Sequence, residues 1–104
     1  MTLDAEDSKI ITLARSARAR NGSAEGAAVR DETGRTYAAT NVELDSLVLS
    51  ALQVATAMAI SSGATALEAA ALVSEGGPGE ADEAVVRELG GALLVAGPDG
   101  ALRG

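Results

Sequence analysis

The 104-residue chain contains no cysteine, histidine, tryptophan or phenylalanine, and its one aromatic residue is Tyr37. Each absence removes a class of chemistry. Without cysteine there is no disulfide, thiol nucleophile, iron–sulfur cluster or thiolate zinc site. Without histidine there is no imidazole base and none of the usual nitrogen ligands for zinc, copper or haem. The Ser-His-Asp and Cys-His mechanisms are closed to a single chain for the same reason. Positive charge is also scarce: 8 basic against 15 acidic residues leave a net charge of −7. What the chain has instead is alanine, at 23 positions, with Leu, Ile and Val enough to make it globular rather than disordered.

The charge is unevenly spread. Residues 1–35 hold six basic and six acidic side chains, whereas residues 36–104 hold two basic (Arg87, Arg103) and nine acidic. Such a surface repels a phosphate backbone, so no nucleic-acid partner is expected. The basic cluster Arg15, Arg18, Arg20 reads as a solvated helix face rather than a phosphate patch. The acidic start (Asp4, Glu6, Asp7) lacks the basic and apolar regions of a signal peptide, so a cytoplasmic location is expected, with no membrane association. One small domain is expected over 1–104, with residues 1–7 and 101–104 flexible. Alanine adds little buried area, so the core is thin and burial between subunits should add to it.

Apolar spacing predicts a helix over Ser8–Arg20, capped by Asp7 or Ser8 and stopped by Asn21-Gly22. A strand over Ala24–Arg30, a turn at Asp31–Gly34 and a strand over Arg35–Thr40 read as an antiparallel hairpin. Residues Ser46–Ser61 read as a second helix that is apolar around nearly its whole circumference. Such a helix must be covered on more than one side, so one face should meet the sheet and another a partner subunit. It is too short and too interrupted by polar groups for a membrane span. A buried strand over Leu67–Ser74 follows. A third helix, Glu80–Leu89, should contact the core through Ala84, Val85, Val86 and Leu89. A last buried strand covers Ala92–Ala96. The order α-β-β-α-β-α-β, with strand–helix–strand units after residue 65, predicts an α/β fold: a three-layer mixed sheet with helices on both faces.

Three local features read as structural. Gly76-Gly77-Pro78-Gly79 precedes a helix but lacks the Gly-Lys-Ser/Thr of a phosphate loop, and Glu80, Asp82 and Glu83 suit the positive end of that helix. Those three carboxylates lack a calcium-loop pattern. Ser8-Lys9 has no pocket residues to make it a nucleophile pair.

Within that order, the segment Asn41-Val42-Glu43-Leu44-Asp45-Ser46 resembles the cytidine deaminase family over roughly residues 8–100. Gly26-Ala27-Ala28-Val29 is similar to the family's first strand and Asp31–Arg35 to its hairpin. Asn41, Glu43 and Ser46 match its Asn-x-Glu-Asn-Ala-Ser segment. Pro78 with Val85, Glu88 and Gly90 resembles the frame of its Pro-Cys-x-x-Cys motif. The resemblance implies a cytidine deaminase-like fold and an assembly as a dimer or tetramer, while the Ala-rich, Phe-free composition suggests a GC-rich bacterial source. Leu47, Leu49, Leu52, Val54 and Met58 are then the candidate interface residues of a homo-oligomer.

The resemblance also implies a reaction: a zinc-activated water attacks the pyrimidine C4 while a glutamate carries protons. The helix ligand and the glutamate fall here on Leu52 and Val54, and the two loop cysteines on Gly79 and Asp82. No catalytic residue, zinc or other cofactor is therefore expected. The aromatic residue of the family's substrate-side loop is missing from residues 21–25, and the chain stops before the family's C-terminal segment. Asn41 and Glu43 match the pair that holds the nucleoside ribose. They could still bind a nucleoside, or Asn41 could end a strand while Glu43 or Asp45 caps the second helix. The expected function is a non-catalytic, oligomeric scaffold or regulatory module. The alternatives are a nucleoside-binding module, or hydrolytic deamination of a pyrimidine nucleoside by family membership with ligands from a different chain.

Overall fold

The structure is a computed structural model, and it describes residues 3–103. Helix α1 spans Ala5–Asn21, earlier than the apolar stripe alone predicts, because the Asp4 side chain accepts the Asp7 backbone N–H and caps it. The helix thus starts inside the stretch expected to be flexible. Residues 1, 2 and 104 lie outside the described residues. Strands β1 (Gly26–Asp31) and β2 (Thr36–Thr40) form the expected antiparallel hairpin. The turn between them puts Gly34 at φ 89°, a conformation that disfavours any side chain.

The largest departure lies at the second helix. Residues 46–50 are not helical. Short strands β3 (Val42–Glu43) and β4 (Val48–Leu49) pair antiparallel, and helix α2 begins only at Ala51 and runs to Ser61. Two local interactions decide this. Leu44 and Leu47 exchange backbone hydrogen bonds around Asp45-Ser46, closing a tight turn. Ser50 and Gln53 then form a reciprocal capping box, each side chain accepting the other's backbone N–H at 3.1 and 2.9 Å. The cap is therefore Ser50, not Glu43 or Asp45.

Strand β5 (Leu67–Val73), helix α3 (Glu80–Leu89) and strand β6 (Ala92–Ala96) follow the expected order. The sheet runs β2-β1-β5-β6; β1 is antiparallel to both neighbours, and β5 and β6 are parallel across α3. Helix α1 packs Ile10, Ile11 and Ala14 on one face, against Ala28, Ala69, Ala71 and Val73. On the other face α2 packs Ala51, Leu52, Ala55 and Ala59 against Ala27, Val29 and Ala70, with Val85, Val86 and Leu89 of α3 beside them. This is the three-layer mixed α/β arrangement. Two burial expectations fail. Ala84 is exposed, and β6 is half-buried because it is an edge strand. Beyond it the chain turns back, and Leu102 bridges Ala96 antiparallel, so residues 101–103 are also tied to the sheet. Among the described residues, no helix is long and apolar enough to cross a membrane.

Ionic groups fasten the edges of this apolar interior. Arg30, buried on β1, reaches Asp7 of α1 at 3.0 Å and Glu68 of β5 at 2.6 Å. Burial pulls its pKa down, but the hydrogen bonds to Glu68 and Asp7 outweigh that and hold it above the usual arginine value. Asp31 accepts the Thr33 hydroxyl and the N–H groups of Thr33 and Arg35. Its pKa is lowered chiefly by that hydroxyl, against the opposing effect of burial. Glu32 is lowered chiefly by its own N–H, then by Thr65 and Ala66, whose N–H groups it caps across the hairpin.

Folded pKa values below the ordinary 3.8 and 4.5 stabilise the fold above those values. That contribution is lost as pH falls through the folded values. Thermal unfolding followed by circular dichroism should therefore show a midpoint that is level above about pH 5 and falls below about pH 4.5. In D31N and E32Q that fall should be shallower; an unchanged slope in both would remove these carboxylates as its cause.

Candidate functional site

The site lies where the N-termini of α2 and α3 meet. Gly79 is the N-cap of α3 and has no side chain to offer the first turn. Asp82, three residues on, reaches back instead, its Oδ2 accepting the Gly79 N–H at 3.0 Å. Its other oxygen, Oδ1, accepts the Ser50 hydroxyl at 2.5 Å. A single carboxylate, 2% exposed, thus joins the caps of two helices. The position is electrostatically favourable, since the positive ends of both helix dipoles converge on it. Sequence reading found Asp82 as a first-turn acid but not its bond to Ser50, which joins residues 32 apart.

Glu25 completes the α2 terminus from the side of β1. Its Oε1 accepts the Ala51 N–H at 3.1 Å, and its own N–H donates to Asn41 Oδ1 at 3.0 Å. Sequence reading missed Glu25. The signal was weak: a lone acid before an alanine-rich strand.

Leu52 is fully buried in the chain's own core with Ala27, Val29, Ala55 and Ala70. It is therefore not part of an outward-facing interface, as the expected second helix would have made it. Leu49 and Val54 are half-buried. Met58 is 42% exposed on α2, and Leu47 is exposed at the β3–β4 turn rather than on a helix.

Asn41 and Glu43 do come together. With Ala24, Glu25, Val48, Leu49 and Ser50 they line an open cleft of about 330 Å3. Asn41 follows the last residue of β2, as one of the two sequence readings has it, and its carbonyl oxygen is committed to Glu25.

The four positions that the family resemblance aligns with zinc chemistry can be tested for donors. Leu52 and Val54 end in carbon, and Gly79 has no side chain. Both oxygens of Asp82 are engaged, by Ser50 and Gly79. These residues do not fit a zinc ion. Among the described residues, no three of His, Cys, Asp and Glu are grouped so as to hold a metal.

Comparison with known proteins agrees with this architecture. A family model described as "Cytidine deaminase-like" matches residues 3–100. The chain belongs to the cytidine deaminase-like family. Among solved structures it is similar to cytidine deaminase from Burkholderia pseudomallei, with a TM-score of 0.78 and 25% identity over 91% of this chain and 87% of that one. A point-mutant cytidine deaminase from Mycobacterium tuberculosis gives a TM-score of 0.72 and 25% identity over 96% and 91%. Cytidine deaminase from Mycobacterium leprae, at 21% identity, has the same fold, with a TM-score of 0.69 over 96% and 93%. No curated protein matches the sequence.

Proposed function

We propose that this chain is a non-catalytic member of its family, acting as an oligomeric interaction module. The observation that carries the reading is the content of the reaction centre. An all-carbon Leu52 side chain is packed into the core there, and Asp82 is spent on joining two helix caps. Leu52, Val54 and Gly79 can neither coordinate a metal nor exchange a proton, and each oxygen of Asp82 already accepts a hydrogen bond. A second copy supplies no remedy, since the chain contains no His or Cys.

The interaction role is supported by exposed apolar side chains. Leu44, Leu47 and Val48 project from the β3–β4 hairpin and Met58 and Ile60 from α2, Val48 being 71% exposed. A core built largely of alanine gives a small domain little stability of its own, so covering such side chains in an assembly is a substantial gain. A second reading keeps nucleoside binding, favoured by the cleft that Asn41 and Glu43 share with Ser50.

Multi-angle light scattering at micromolar protein tests the first reading, with zinc analysis and a cytidine turnover assay on the same sample. The expected result is a multiple of 10.3 kDa that M58K and L47K lower, with no stoichiometric zinc and no turnover. A stable wild-type monomer overturns the assembly. Chelator-sensitive turnover overturns the non-catalytic assignment. Calorimetric binding of cytidine without turnover, lost in E43Q, would select the second reading.

A further inference from the structure

Arg15, Arg18 and Arg20 read from the sequence as a solvated helix face, but the structure separates the first two from the third. Thr12, Arg15, Ser16 and Ala19 follow one another at helical spacing along α1, and Arg18 flanks them. With Val73 and Pro98 these residues line a cleft of about 240 Å3. Val73 is the last residue of β5, and Pro98 follows the end of β6. The cleft therefore opens at the carboxyl ends of the only parallel strand pair in the described sheet, where open α/β sheets characteristically bind ligands.

Both arginines are held by their inner nitrogen. Arg15 Nε donates to the Pro98 carbonyl at 3.2 Å, and Arg18 Nε donates to the Ala24 carbonyl at 3.1 Å. Gly100 lets Arg15 lie across the turn after β6: a Cβ there would sit 3.0 Å from its Cδ and Nη1. Neither guanidinium has a carboxylate partner. Among the described residues the ion pairs are those of Arg30, in a chain with 15 acidic side chains. Two planar forks fixed at Nε keep their terminal N–H groups for bidentate contact with a tetrahedral oxyanion.

We propose that this cleft binds the phosphate group of a small phosphorylated molecule, with Arg15 and Arg18 as its two forks and the Thr12 and Ser16 hydroxyls at its wall. The net charge of −7 opposes any anion, and so do Asp99, Glu25 and Glu75 in the clefts on either side. A chloride ion is too weak a partner to overcome that field. A phosphate carries more charge and can accept hydrogen bonds from both guanidinium groups that line the cleft. This inference is independent of whether the chain assembles or binds a nucleoside.

The test is a titration of 15N-labelled protein at low salt, following the arginine Nε–H signals. Inorganic phosphate and glycerol 3-phosphate are the probes and glycerol the uncharged control. Saturable shifts of the Arg15 and Arg18 signals are expected, with millimolar affinity weakened by about fivefold in R15Q and in R18Q. R20Q should bind as wild type. Tighter binding of glycerol 3-phosphate assigns the cleft to a phosphomonoester; equal binding assigns it to the phosphate alone. R15K and R18K keep the charge but lose the fork, so they should also weaken binding. Lysine variants that bind as wild type, or no saturable shift up to about 20 mM phosphate, would overturn the site. The backbone amide spectrum reports whether each variant remains folded.

Discussion

Asp82→Ala is expected to destabilise the protein by about 2–4 kcal/mol, since it removes both charge-assisted hydrogen bonds of a buried carboxylate and leaves the half-buried Ser50 hydroxyl and the Gly79 N–H without their acceptor. Small domains have total stabilities of about 5–15 kcal/mol, and an alanine-rich one sits toward the low end. Urea unfolding should therefore move to a much lower midpoint or show no native baseline. Ser50→Ala removes the α2 cap and one of the Asp82 bonds, for about 1–2 kcal/mol. Both changes act on one bridge, so the double variant should cost less than their sum by about 1 kcal/mol or more. Asp82→Asn keeps an acceptor but loses the charge between the helix ends, and should fall between wild type and Asp82→Ala. If Asp82→Ala stays within about 0.5 kcal/mol of wild type, the bridge contributes nothing beyond an ordinary surface side chain.

That bridge links structure to function. In the family that the sequence resembles, ligands on the starts of two helices converge on one metal. Here the same two helix starts converge on one carboxylate. The Ser50–Asp82 bond and the Leu52 packing together supply a tie and a filling that hold the two helix starts in place.

Much of the scaffold was legible because it rests on local signals. Gly34 at the hairpin, Gly22 and Gly90 after their helices, and the strand–helix–strand run after residue 65 all act over a few residues, and the order of elements follows from them. The start of α2 was misread for a different reason. Leu47, Val48 and Leu49 fit an apolar helix and an exposed hairpin equally well, and periodicity weighs them as helix. The deciding signal was the Ser50-x-x-Gln53 spacing, a local cap that outranks propensity. A helix apolar around its whole circumference does not say which side meets the sheet, so Leu52 read as an interface residue although it packs in the chain's own core. Glu25, and the reach of Asp82 to Ser50, were not legible. They join elements distant in sequence, and no spacing rule encodes such a meeting.

Gly26→Ala should have an effect of comparable size, for a reason rooted in composition. Helix α1 faces the sheet with Ala14 and Ala17, and the sheet answers with Ala28, Ala69 and Ala71. Short side chains on both surfaces bring the helix close to the strands, and at Gly26 the approach leaves no room for a side chain. A Cβ there would lie 2.0 Å from the Ala14 carbonyl oxygen, 2.9 Å from Arg18 Cβ and 3.0 Å from the Arg18 nitrogen. Two of these are backbone atoms, so no rotamer change relieves the overlap and the helix itself must move off the sheet. Overpacking that displaces backbone costs about 1–3 kcal/mol and occasionally more, and an approach of 2.0 Å to a backbone oxygen places Gly26→Ala at the upper end.

Gly76→Ala is the matched control. It meets nothing within 4 Å and should stay within about 0.5 kcal/mol of wild type. Comparing the two by urea unfolding separates steric contact from the general entropic effect of replacing glycine, which favours alanine in both. The displaced α1 should also carry Arg18 away from Ala24, so the Arg18 Nε–H signal in Gly26→Ala should lose its hydrogen-bonded shift even where the variant remains folded. A Gly26→Ala protein as stable as Gly76→Ala would mean that α1 stands farther from β1 than the structure places it. The alanine-to-alanine packing of that face would then not be what holds the helix.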